Sequence, residues 1–321
     1  MRVPDRLFTR SAAIGRRFAA PLLLLLCSHT QAAVDIWDDV EHGYAVNGDV
    51  KIHYASLGEG PLVIMIHGFP DFWYTWRHQM AGLQDSYQVV AIDQRGYNLS
   101  SQPEGEENYA MPLLVADIAA VIDHFDKPSA TIVGHDWGGA VAWNVAFTRP
   151  DLVNKLIILN LPHPNGIAQA TANNPVARAN TGYAQKFREG SPADPDIFFG
   201  GPMTPQSLAG WVRDPSARAR YVEAFEQSDF QAMLAYYQQN YPPTPEPGAA
   251  LLPAVPILDK EVLIFHGLED TALHSDGLNN TWDWIERDVT IVSAPGAGHF
   301  VQQDAAELVT STMRWWLLAR P

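Results

Sequence analysis

With 321 residues, 47% of them hydrophobic, the chain can bury a substantial core as one large domain or two ordinary ones. Its formal charge of −15 argues against nucleic acid and anionic lipid as partners. No apolar run reaches the ~20 residues of a membrane span, and no His/Cys cluster has the spacing of a zinc site, so neither metal nor cofactor is expected.

Residues 1–32 read as an export leader. Arg2, Arg6, Arg10, Arg16 and Arg17 make a basic start, and Phe18 to Ser28 form a short apolar run dominated by Leu22 to Leu26. Small residues follow at Ala32 and Ala33, which places the cut after one or the other. An uncleaved anchor is the alternative. Arg16-Arg17 hints at twin-arginine export but has poorly matching flanks, and Leu26 is too bulky to precede a lipidated Cys27. Cleavage would remove five Arg and one Asp, taking the charge to −19. It would also remove Cys27, the only cysteine, leaving an exported chain held by its core alone.

Beyond the leader, Asp35 to Leu57 reads as two edge strands with Asn47-Gly48 as a hairpin turn. Leu62 to His67, Tyr87 to Asp93, Thr131 to His135, Lys155 to Leu161, Val262 to His266 and Val289 to Ser293 are short apolar runs, as expected of strands buried on both faces. Helical stretches intervene at Thr75 to Gln84, Met111 to Phe125, Gly138 to Thr148 and Leu278 to Arg287, and Asp304 to Leu318 closes the chain. This alternation predicts βαβ units and a mostly parallel sheet flanked by helices. It breaks between Leu161 and Glu261, where 14 of the 24 prolines lie. That stretch reads as a cap of short helices at Pro175 to Arg188, Pro205 to Val212, Ser216 to Glu226 and Phe230 to Gln239. Thr204-Pro205 has the form of an N-cap followed by an N1 proline. The expected organisation is a core in two parts, 33–161 and 259–321, with the cap at 162–258 leaving a cleft for a small apolar substrate.

The sharpest motif is Gly134-His135-Asp136-Trp137-Gly138-Gly139, between a strand and a helix. It resembles the nucleophile elbow of the α/β-hydrolase fold, with aspartate where serine is usual. An aspartate so placed can attack carbon and form an ester; read in isolation, the same residues make an ordinary turn with Asp136 as N-cap. His67-Gly68-Phe69-Pro70 follows the first buried strand, and the backbone N–H groups of Phe69 and Trp137 are the expected oxyanion hole. Gly296-Ala297-Gly298-His299 follows the last strand and places a histidine late in the chain, as the order nucleophile, acid, histidine requires. The acid that orients it is expected after the preceding strand, at Asp270, with Glu269 as the alternative. The sixth strand ends in Asn160-Leu161-Pro162 and offers no competing acid.

Taken together these motifs resemble the epoxide hydrolases of the α/β-hydrolase superfamily, over essentially the whole mature chain. The stretch from His67-Gly68-Phe69-Pro70-Asp71 through Trp73 and Trp76 to Arg77-His78-Gln79 is similar to that family's, as are Arg95-Gly96-Tyr97-Asn98-Leu99-Ser100 and Pro162-His163-Pro164. Many relatives have glycine at the place of Asn98, and asparagine tolerates a positive φ there. Arg95 to Ser100 and His163 are read as structural. The resemblance also implies two cap tyrosines that donate to the epoxide oxygen. They map to Tyr183 in Gly182-Tyr183-Ala184-Gln185 and to Tyr237 in Leu234-Ala235-Tyr236-Tyr237-Gln238, with Tyr236 competing for the second place. Phe69, Pro70 and Trp137 are then expected to touch a small apolar epoxide, with water as co-substrate. A haloalkane dehalogenase is the alternative. It would use the same Asp-His-Asp set with Trp137 as halide donor, and would need a second donor, such as Trp211, because Phe69 stands where asparagine is frequent. A catalytically silent binding protein is the remaining reading, and the complete acid–base set argues against it.

Overall fold

The computed structural model describes residues 35–243, 249 and 254–320, so the expected leader lies outside the described residues. Among the described residues eight strands form one sheet in the order β1-β2-β4-β3-β5-β6-β7-β8. They are β1 (Glu41–Asn47), β2 (Val50–Leu57), β3 (Leu62–Ile66), β4 (Gln88–Ile92), β5 (Ala130–His135), β6 (Val153–Leu159), β7 (Val262–Gly267) and β8 (Val289–Ala294). β1 and β2 are antiparallel, β2 joins β4 antiparallel, and every other pairing is parallel. β3, β5 and β7 are buried at every residue, which is why they carry continuous apolar runs and not an alternating pattern.

The helices are α1 (Arg77–Leu83), α2 (Met111–His124), α3 (Trp137–Thr148), α4 (Pro164–Asn173), α5 (Pro175–Asn180), α6 (Gly182–Glu189), α7 (Pro205–Leu208), α8 (Pro215–Glu226), α9 (Phe230–Asn240), α10 (Val301–Asp304) and α11 (Ala306–Leu318). α1 packs with α11 and α2 with α3 against the sheet, while α4 to α9 all lie between β6 and β7 in the chain. Prolines open α4, α5, α7 and α8, where the missing N–H costs nothing. Asn174, Asp214 and Asp229 side chains cap the first turns of α5, α8 and α9. Thr204 and Ser207 form the capping box of α7.

Several expectations need correction. Of the two strands expected at the edge, β1 lies there and β2 does not, because β2 is covered by β4. Asn47 pairs with Val50, so the hairpin loop is Gly48-Asp49, one residue later than expected, with Gly48 supplying the positive φ. Leu278 to Arg287 is not an α-helix. Two 3₁₀ turns, Ser275–Leu278 and Thr281–Trp284, are separated by Asn280 at φ 62°, which stops helix propagation. The stretch Pro175 to Arg188 divides at Thr181, and α4 was not anticipated; its N-cap is His163, whose side chain accepts from the Asn165 N–H. The motif residues read as structural are placed accordingly. Arg95 is buried in a two-point ion pair with Asp117, both contacts 2.6 Å, and Asn98 adopts φ 45° while donating to Asp93.

Candidate active site

The site forms where β3, β5 and β7 end beneath the cap. Asp136 sits between β5 and α3 at φ 50°, ψ −121°, a strained conformation for a residue with a side chain. The sharp turn needs bare backbone around it. A Cβ on Gly134 would strike the Gly138 carbonyl, and one on Gly138 would strike the carbonyl of Ile66 at the end of β3. The Asp136 carboxylate is thereby held at the head of the sheet.

Its Oδ1 accepts from the Phe69 N–H at 2.8 Å, and its Oδ2 lies 3.4 Å from Nε2 of His299. Trp137 opens α3, so its N–H has no carbonyl to serve within the helix. The other His299 nitrogen, Nδ1, donates to Oδ2 of Asp270 at 2.9 Å. Asp270 is buried and oriented from three more sides: Asn160 Nδ2 donates to Oδ2 at 2.7 Å, and the Ala272 and Leu273 N–H groups donate to Oδ1 at 2.7 and 3.0 Å. Glu269, the alternative acid, is exposed. Sequence reasoning missed Asn160 as an orienting group, although it named the residue when looking for an acid at the end of β6. It also missed His135, whose Nε2 donates to the His299 carbonyl at 2.8 Å and so fixes the histidine loop.

Charge within this cluster is mutually supporting. Burial opposes ionisation of Asp136, but the His299 hydrogen bond and charge outweigh it and hold the carboxyl below its ordinary range. Asp270 is lowered in the same way, against burial, by His299 and Asn160. Burial alone would lower His299, yet Asp270 and Asp136 together raise it well above an ordinary histidine. His135, pushed down to about 4 by burial and by the adjacent His299, stays neutral.

Two cavity lobes, of about 240 and 640 Å³, meet at Asp136, Tyr183 and Tyr237, which line both. Trp137 lines the smaller lobe; Phe69, Pro70, His299 and Trp211 line the larger. Both tyrosines are raised well above an ordinary phenol, chiefly by burial, so both are neutral donors at neutral pH. Tyr236 lines neither lobe. Its hydroxyl donates to the Arg95 carbonyl at 2.9 Å, directed into the core.

A family model described as the alpha/beta hydrolase fold matches residues 61–306. The chain is 30% identical to epoxide hydrolase 2 of Caenorhabditis elegans over 86% of its own length and 79% of that protein's. It is 42% identical to the AB hydrolase superfamily protein YfhM of Bacillus subtilis over a shorter alignment, 47% of this chain and 54% of that one. Among solved structures, the Bacillus megaterium epoxide hydrolase in complex with an inhibitor superposes with a TM-score of 0.76 at 30% identity, covering 87% of this chain and all of that one. The chain therefore belongs to the α/β-hydrolase fold family and, within it, to the epoxide hydrolases.

Proposed function

We propose that this protein hydrolyses epoxides to vicinal diols through a covalent ester on Asp136. The observation that carries the reading is one carboxylate, 3.4 Å from His299, that shares the lining of two apolar lobes with the phenols Tyr183 and Tyr237. Because the Phe69 N–H holds Oδ1, Oδ2, which faces His299 Nε2 at 3.4 Å, is the oxygen that attacks. It bonds to an epoxide carbon, the carbon–oxygen bond breaks, and the departing oxygen takes a proton from Tyr183 or Tyr237. Water then attacks Cγ, giving a proton to His299 Nε2. The charge that develops on Oδ1 is met by the Phe69 and Trp137 N–H groups. Collapse breaks the Cγ–Oδ2 bond and the diol takes the proton from His299; the new Asp136 carboxyl gives up its remaining proton and the tyrosinate left by ring opening regains one, so that carboxylate and phenol are both restored.

Nothing in this sequence of steps needs a halide site. The dehalogenase alternative needs a second halide donor beside Trp137, and the one suggested, Trp211, lines the other lobe. Turnover of styrene oxide against 1-bromobutane tests the choice. Diol formation from the first without bromide release from the second is expected; bromide release alone would overturn it.

The leader's composition supports a further part of the proposal, that the enzyme is exported and cleaved near Ala32 or Ala33. Among the described residues no helix is long and apolar enough to cross a membrane.

A further inference from the structure

Asp71 has no part in the chemistry just described. It follows Pro70, its side chain is fully buried, and it lines neither lobe. Oδ1 accepts from the Phe72 N–H at 2.9 Å and from the hydroxyl of Tyr221 on α8 at 2.7 Å, while Oδ2 has no partner among the described residues. The Tyr221 hydroxyl in turn accepts from Gln303 Nε2 at 2.7 Å, on α10 just beyond His299. Gln303 is held by Thr75 at 2.9 Å and by Arg77 at 3.1 Å. The loop after β3, the cap and the histidine segment therefore share one buried polar node.

The node reaches the cavity through aromatic packing. The Tyr221 ring meets Phe72 edge-on at 4.7 Å and Trp211 edge-on at 5.3 Å. Trp211 lies flat on Phe300, with centroids 3.4 Å apart and planes 4° from parallel, and both rings line the larger lobe. The Trp211 N–H has no hydrogen-bond partner among the described residues, so packing against Tyr221 and Phe300 sets where the indole stands.

We propose that Asp71, acting through Tyr221, is the positioning residue that sets the Trp211–Phe300 wall of the larger lobe and so selects the substituents the site accepts. Only the nature of the ligand rests on the epoxide reading above. The hold is pH-dependent. Burial pushes the Asp71 carboxyl up to about 7, against hydrogen bonds from Tyr221 and Phe72 and the charge of Arg77. The other ionisable groups beside it, Tyr97 and Tyr221, stay neutral. Above that value the carboxylate accepts a charge-assisted bond from Tyr221; below it the bond weakens and the wall relaxes.

Equilibrium binding of two product-like diols, naphthyloxypropanediol and phenylethanediol, tests this by calorimetry at about pH 6 and about pH 8, either side of the carboxyl's titration. Asp71→Asn and Tyr221→Phe should each raise the preference for the bulkier diol about three- to tenfold at the higher pH, the effect of losing one buried hydrogen bond. The wild-type preference should rise comparably on going to the lower pH, and that of Asp71→Asn should not move. An unchanged preference in the variants, an equal loss for both diols, or a wild-type pH dependence surviving in Asp71→Asn would overturn the assignment. Should Asp71→Asn fail to fold, Tyr221→Phe decides, since its ring packing is retained. Binding is read without turnover, so the preference settles the wall even if the wild-type protein hydrolyses no epoxide, a result that would count against the role of Asp136 instead.

Discussion

Two residues of the site face opposite demands in succession. Asp136 has to be ionised to attack, and His299 has to be a free base when water arrives. In the resting cluster the carboxylates raise His299 well above its ordinary range and so favour its protonated form. Ester formation removes the Asp136 charge, and with it one of the two charges that raise the histidine. His299 is thereby released to act as a base at the step that needs one. The tyrosines serve the first step, and the structure separates them from their neighbour. Tyr183→Phe and Tyr237→Phe should each slow ester formation by roughly 10²–10⁴-fold, the usual worth of a general acid. Tyr236→Phe should leave it nearly unchanged, because that hydroxyl is spent on the Arg95 carbonyl. Rapid-quench mass spectrometry of a single turnover measures all three; a Tyr236→Phe variant as impaired as the others would contradict this division.

At the scale of elements, the elbow is where local preference and tertiary packing disagree. Alanine is favoured over glycine inside a helix by roughly 0.5–1 kcal/mol. At Gly138, however, a Cβ would press on the Ile66 and His67 carbonyls at the end of β3. Gly138→Ala should therefore destabilise the protein, by roughly 1–3 kcal/mol or more in urea unfolding; a variant as stable as the parent would contradict the packing described. The same contrast explains what the sequence reveals. The parallel strands are legible because burial on both faces leaves continuous apolar runs such as Leu62 to Ile66. The elbow and the His299 loop are legible because strand, turn and residue order coincide. Cap boundaries are less so: Pro175 and Pro205 read as helix starts and are, but Pro164 also opens a helix, and that helix, α4, is capped by a histidine, an unusual N-cap. Asn160 and Asp71 carry no local signature at all, since their partners, Asp270 and Tyr221, lie 110 and 150 residues away in the chain.

Across the whole molecule, the N-terminal segment is fastened to the cap. Asp35 accepts from Arg220 of α8 at 2.7 Å, and the Arg220 guanidinium lies over the Trp37 ring at 4.3 Å. A leader cut after Ala32 or Ala33 would spare this clasp, whereas a cut beyond Trp37 would remove it. The mature chain recovered from its native host should therefore begin at Ala33 or Val34. Intact-mass measurement checks this, and a chain still beginning at Met1 would refute cleavage.

The central claim is that Asp136 forms an ester which His299 is needed to break. His299→Gln mixed with styrene oxide and followed by intact mass should gain the mass of the whole epoxide, since ring opening loses no atoms. Peptide mapping should place the addition on Asp136, and it should persist because water is no longer activated. A variant that binds the epoxide yet gains no mass, or carries the addition on another residue, would contradict the account.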